Sequence, residues 1–134
     1  MNREKLINAV ESIATAEGYK FLSAEERYIP QHTTHYPTLW LLPPQFHSIE
    51  GKNHGTVTYS VKLHAIGEGA KQSPKQRNTT RTELEQMLIN VFTTLSEEDF
   101  VVEVENLKIA HTSHTLTSHG EVAATATAEV ITFY

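Results

Sequence analysis

The sequence predicts an α+β fold, with two amphipathic helices packed on one face of a mainly antiparallel sheet of about four to five strands. Three observations predict it. Apolar residues recur at helical spacing at Leu6, Ile7, Val10, Ile13 and Ala14, and again at Leu84, Met87, Leu88, Val91, Phe92 and Leu95. Residues 56–66 alternate apolar and polar with the period of a strand. Residues 122–130 do the same with smaller side chains.

The first helix is expected over 2–17, with Glu4, Lys5, Glu11 and Glu17 turned outward and Gly18 as its stop. Tyr19 to Ile29 reads as a short strand and then a charged turn at Glu25-Glu26-Arg27. Tyr36 to Leu42 is apolar and aromatic. Pro37 suits its start or an edge, and Pro43-Pro44 end it, because proline cannot donate to a ladder. Residues 45–55 read as loop, with Gly51, Asn53 and Gly55 as turn formers. Val57, Tyr59, Val61, Leu63 and Ala65 then form the inner face of a strand.

Residues 67–79 carry Gly67, Gly69 and Pro74 without periodicity and read as a long loop. Thr80-x-x-Glu83 and Thr82-x-x-Glu85 are competing capping-box frames for the start of the second helix. After the acidic turn at 96–99, Phe100, Val102 and Val104 alternate as a strand. Residues 107–117 and 122–130 are expected to form a hairpin about a turn near Ser118-His119-Gly120.

The 134 residues, 39% hydrophobic and 20% charged, fit one globular domain over 1–134. The absence of cysteine excludes disulfides and thiolate metal sites. The opening residues run straight into a polar-faced helix with no signal-peptide core, and no long apolar run provides a membrane span. A net charge of −5 argues against a dedicated nucleic-acid binder.

The eight histidines include His32-x-x-His35 and His111-x-x-His114, followed by His119, which raises a metal reading. Spacing of three brings two imidazoles to one face only on a helix, and on a strand it sends them to opposite faces. Their threonine and serine neighbours favour strand or loop, and no carboxylate lies between them to orient a ring. Exposed polar residues are therefore the expectation, with no metal and no cofactor. Glu97-Glu98-Asp99 reads as a solvated turn rather than an acid–base pair. No G-x-S-x-G and no G-x-x-x-x-G-K-[ST] occurs. Trp40 reads as core rather than as a stacking platform.

One asymmetry stands out. Lys71, Lys75, Arg77 and Arg81 lie in a stretch without acids, while residues 83–105 contain Glu97, Glu98, Asp99 and four further glutamates without a base. The alternatives are two solvated surfaces, a basic loop that docks on the acidic face of a neighbouring copy in a head-to-tail contact that would close a ring, or a loop that touches nucleic acid, where four charges would bind weakly at physiological salt.

The leading helix ending at Gly18, Tyr36-Pro37-Thr38-Leu39-Trp40-Leu41, the strand Thr58 to Leu63, the polar loop, the helix from Thr80–Thr82 and the Thr-rich hairpin form an ordered pattern. In that order and length the chain resembles phage and prophage tail-terminator and tail-completion (minor tail) proteins. The resemblance implies a structural subunit of the virion rather than an enzyme, assembled in the host cytoplasm into a ring, commonly hexameric. It implies as partners further copies of the chain, the tail tube and the head–tail connector. It carries no functional residue with it. The readings set against it are a small metal-dependent enzyme using the histidines and a monomeric α+β binding module.

Overall fold

The computed structural model describes residues 2–25, 36–51, 53–111 and 120–134. The first apolar stripe forms α1 (Asn2–Ala16), burying Leu6, Val10, Ile13 and Ala14. Gly18 ends it at φ +77°, a conformation that costs glycine little because it has no Cβ. The chain reverses into β1 (Lys20–Ser23), then β2 (Thr38–Leu41), β3 (Gln45–Glu50) and β4 (Thr56–Gly67). Helix α2 (Pro74–Leu95) follows, and β5 (Val101–His111) and β6 (Val122–Phe133) close the fold.

Among the described residues the architecture is α+β, with two helices and one mixed sheet of six strands in the order β1-β2-β4-β6-β5, with β3 also on β4. Among the described strands β1 and β2 pair in parallel and the other pairings are antiparallel. The sheet therefore has more strands than expected, for two reasons. Residues 45–50 form a strand rather than a loop, because an edge strand takes its hydrogen bonds from β4 and needs no apolar alternation of its own. Thr38–Leu41 is also too short to span β4, so β2 and β3 share that neighbour end to end.

One face of the sheet holds the main core. Val57, Tyr59, Val61, Leu63 and Ala65 of β4 stand beside Val122, Ala124, Ala126, Ala128 and Val130 of β6, under Leu84, Leu88, Val91 and Phe92 of α2. The alanines of β6 let the helices approach the sheet, and each large side chain buried there contributes roughly 1.5–3 kcal/mol. On the opposite face Trp40, Ile66 and Ala123 form a second, smaller cluster. The Trp40 indole N–H donates to the Ala24 carbonyl at 2.8 Å, so the ring is core, as expected.

The second helix begins earlier than the threonine frames suggest. Ser73 is its N-cap: its Oγ accepts from Gln76 N–H, and the Gln76 side chain accepts from Ser73 N–H. That is a complete capping box with Pro74 in the first turn. Thr82 instead donates to the Asn78 carbonyl inside the helix.

Strand β5 is continuous from 101 to 111, with register shifts between Val101 and Glu103 and between Glu105 and Lys108. The first shift reassigns the alternation: Val101 is buried on the helix side, and Val102 is left 41% exposed. Of the expected hairpin, residues 112–119 lie outside the described residues, as do Glu26 and Arg27 of the expected charged turn. No helix among the described residues is long and apolar enough to cross a membrane.

Candidate functional site

The candidate contact residues sit at the two ends of α2. Lys75, Arg77 and Arg81 lie in its first two turns rather than in a loop, and Lys71 lies just before the cap. Glu97, Glu98 and Asp99 form the exposed turn after its last residue. A helix of 22 residues is about 33 Å long, so the two groups cannot meet within one copy. The arrangement is unfavourable for the helix itself, with no acid in the first turn and no base in the last. Cations at the positive end and carboxylates beyond the negative end reinforce the macrodipole instead of opposing it.

The four cations are not equivalent. Lys71 and Lys75 are exposed. Arg81 donates to the Asn78 side chain at 2.9 Å on the surface. Arg77 is half-buried, and its Nη1 donates to the Gly69 carbonyl at 2.6 Å and to the Gly120 carbonyl at 3.4 Å. It ties the segment before α2 to the start of β6, a role the bare charge pattern could not indicate. Gly69 permits this close approach, because a Cβ there would lie 2.7 Å from Arg77 Nη1 and 2.6 Å from Val122.

The described histidines are dispersed. His111 lies at the end of β5, with Nε2 2.5 Å from Glu85 Oε1 of α2. His47 lies 3.7 Å from Glu129. His64 is buried on the opposite face, against Trp40 and 2.6 Å from the Thr125 hydroxyl. His32, His35, His114 and His119 lie outside the described residues. Among the described residues no three His, Asp or Glu side chains stand close enough to hold a metal.

Two further features were missed by the sequence reading. The helix-free face carries a cleft of about 710 Å³ whose lining includes Lys62, Lys108, Thr127, Glu25 and Glu129. Lys62, Thr127 and Lys108 occupy one row across β4, β6 and β5. In the neighbouring row Glu105 stands opposite Glu129, and its carboxyl is pushed above the ordinary range, first by the charge of Glu103 and more weakly by Glu129.

The second feature lies at the sheet margins, of which β1, paired only with β2 among the described residues, is one. Strand β3 pairs only with β4, and β5 only with β6, among the described residues. These two strands carry Phe46 (62% exposed), Ile49, Val102 and Leu107. Alternation alone concealed them, because a β-bulge moves residues out of the period-two pattern. No protein-family model matches this chain, and no curated protein matches it.

Proposed function

We propose that this chain is a structural subunit of a ring of the phage tail-terminator or tail-completion kind, placed in the virion at the head-proximal end of the tail. The observation that carries the reading is the opposed charge at the two ends of α2. Lys71, Lys75 and Arg81 stand at one end and Glu97, Glu98 and Asp99 at the other, in an order that does not favour the helix itself. A subunit whose two ends differ in this way suits a ring that meets one partner at each rim, the tail tube on one side and the head connector on the other. The same charges would join neighbouring copies only if those copies lay end to end along α2. The order of helices and strands supports the same reading.

Electron microscopy and light scattering of the purified chain across protein and salt concentration test it. Rings, or docking of the chain onto tail tubes that lack their terminator, are expected. Reversing Lys71 and Lys75 should weaken docking at one rim at low salt and leave the fold intact. A chain that stays monomeric throughout and decorates no tail tube removes the reading. The cleft on the helix-free face supports a second reading, a monomeric binding module, which saturable binding of a small polar ligand by a chain that never self-associates would favour.

A further inference from the structure

We propose that the cleft on the helix-free face binds a small organic anion bearing hydroxyl groups, of the sugar-phosphate or sugar-acid class. Lys62 and Lys108 hold its anionic end and Glu129 its hydroxyl end. The site lies within one copy and is independent of the assembly reading. Its volume of about 710 Å³ falls in the range of small-molecule sites, and Leu42 and Pro43 supply an apolar wall.

Two β-bulges on different strands converge there on one carboxylate. In β3 the register shift between Phe46 and Ser48 leaves His47 as an extra residue, and its Nε2 lies 3.7 Å from Glu129 Oε1. In β5, Asn106 and Leu107 stand opposite the single residue Ala128, and Asn106 Nδ2 donates to Glu129 Oε2 at 3.1 Å. Asn106 has φ +56°, a left-handed conformation that asparagine accepts more readily than most residues. Bulges of this kind re-aim side chains beside functional sites.

The β5 bulge also sets the charge of the cleft. Unbroken pairing beyond Glu105 and Glu129 would put Leu107 opposite Thr127, and the extra residue puts Lys108 there instead. Lys62 and Lys108 then flank the Thr127 hydroxyl in one row, with Cα atoms two strand spacings apart, roughly 10 Å. Their long flexible stems let both ammonium groups close on one anion above that hydroxyl. Glu129 stands two residues along β6, roughly 7 Å away. Ser60 and Gln45 share its row and also line the cleft. Glu105 stands opposite Glu129, so this row repels an anionic group and accepts hydrogen bonds from hydroxyls, which fixes the orientation of the ligand. Glu25 and Glu129 balance the two lysines in the lining. That balance suits a ligand charged at one end, and a six-carbon sugar anion spans the two rows.

NMR titration of the isotope-labelled chain with glucose-6-phosphate, gluconate and glucose tests the site. Saturable shifts confined to the cleft are expected with the anions and not with glucose, and the tighter of the two anions identifies the head group. Lys62→Gln with Lys108→Gln should weaken binding about tenfold or more, through loss of charge-assisted hydrogen bonds, with the thermal midpoint unchanged because both side chains are exposed. Glu129→Gln separates two roles by sign. As an acceptor for the hydroxyls its loss weakens binding, whereas a merely nearby negative charge would, on removal, tighten binding of an anion. Absence of saturable shifts with both anions, equal binding of glucose, survival of binding in the double lysine variant, or unchanged or tighter binding by Glu129→Gln overturns the proposal.

Discussion

His111 and Glu85 join the end of β5 to α2, with Nε2 and Oε1 2.5 Å apart and both side chains partly exposed. Solvent screens such a pair, so a double-mutant cycle with His111→Ala and Glu85→Ala should give a coupling of about 0.2–1 kcal/mol that falls as salt rises. Coupling well above that range would mean the pair is far less solvated than its exposure indicates.

The same histidine bears on metal binding. His111 is committed to a carboxylate of α2 rather than to a neighbouring ligand set. Elemental analysis of the purified chain should find well under one transition metal per chain. Close to one zinc, lost on replacing His111 and His114, would establish a metal site and favour the enzyme reading.

Phe92 is 2% exposed in the main core with Leu88 and Val91, under the face of Val57, Tyr59, Val61 and Leu63. Phe92→Ala should cost about 3–5 kcal/mol in urea unfolding, through lost burial and the cavity left behind. A cost under about 1 kcal/mol would show that the site collapses around the smaller side chain.

Much of this was legible in residue order, for physical reasons. The stripe of α2 and the alternation of β4 and β6 each bury one face, and burial leaves a periodic mark. The polar start of α2 leaves none: no residue of 74–83 is fully buried, so only local capping chemistry marks its beginning, and threonine frames compete with Ser73. β3 was missed because a strand held by one neighbour, with exposed side chains, lacks alternation. The charged residues of the candidate contact were visible as a pattern, but the engagement of Arg77 depends on carbonyls distant in sequence.

The capping assignment makes a sharp contrast between two hydroxyls. Ser73→Ala removes an N-cap and should cost about 1 kcal/mol in thermal or urea unfolding. Thr82→Ala, on an exposed helical surface and already bonded within the helix, should lie within about 0.5 kcal/mol of wild type. Reversal of that order would place the helix start at the later frame.

Glu105 supplies the last prediction. Its carboxyl is raised first by the charge of Glu103, next by slight desolvation and a hydrogen bond to Glu103, and then by Glu129. An acid whose folded pKa exceeds its unfolded value binds its proton more tightly in the native state, so its ionisation opposes folding. The native state gains relative stability as pH falls through the raised value, and this gain is lost once the group ionises at higher pH. Glu103→Gln removes the leading cause. The NMR titration of the Glu105 side chain should then move down toward the ordinary carboxylate range. Glu129→Gln should move it in the same direction by less, because that charge is the weakest of the causes. If Glu129→Gln shifts Glu105 more than Glu103→Gln does, the dominant repulsion crosses from β6 rather than running along β5.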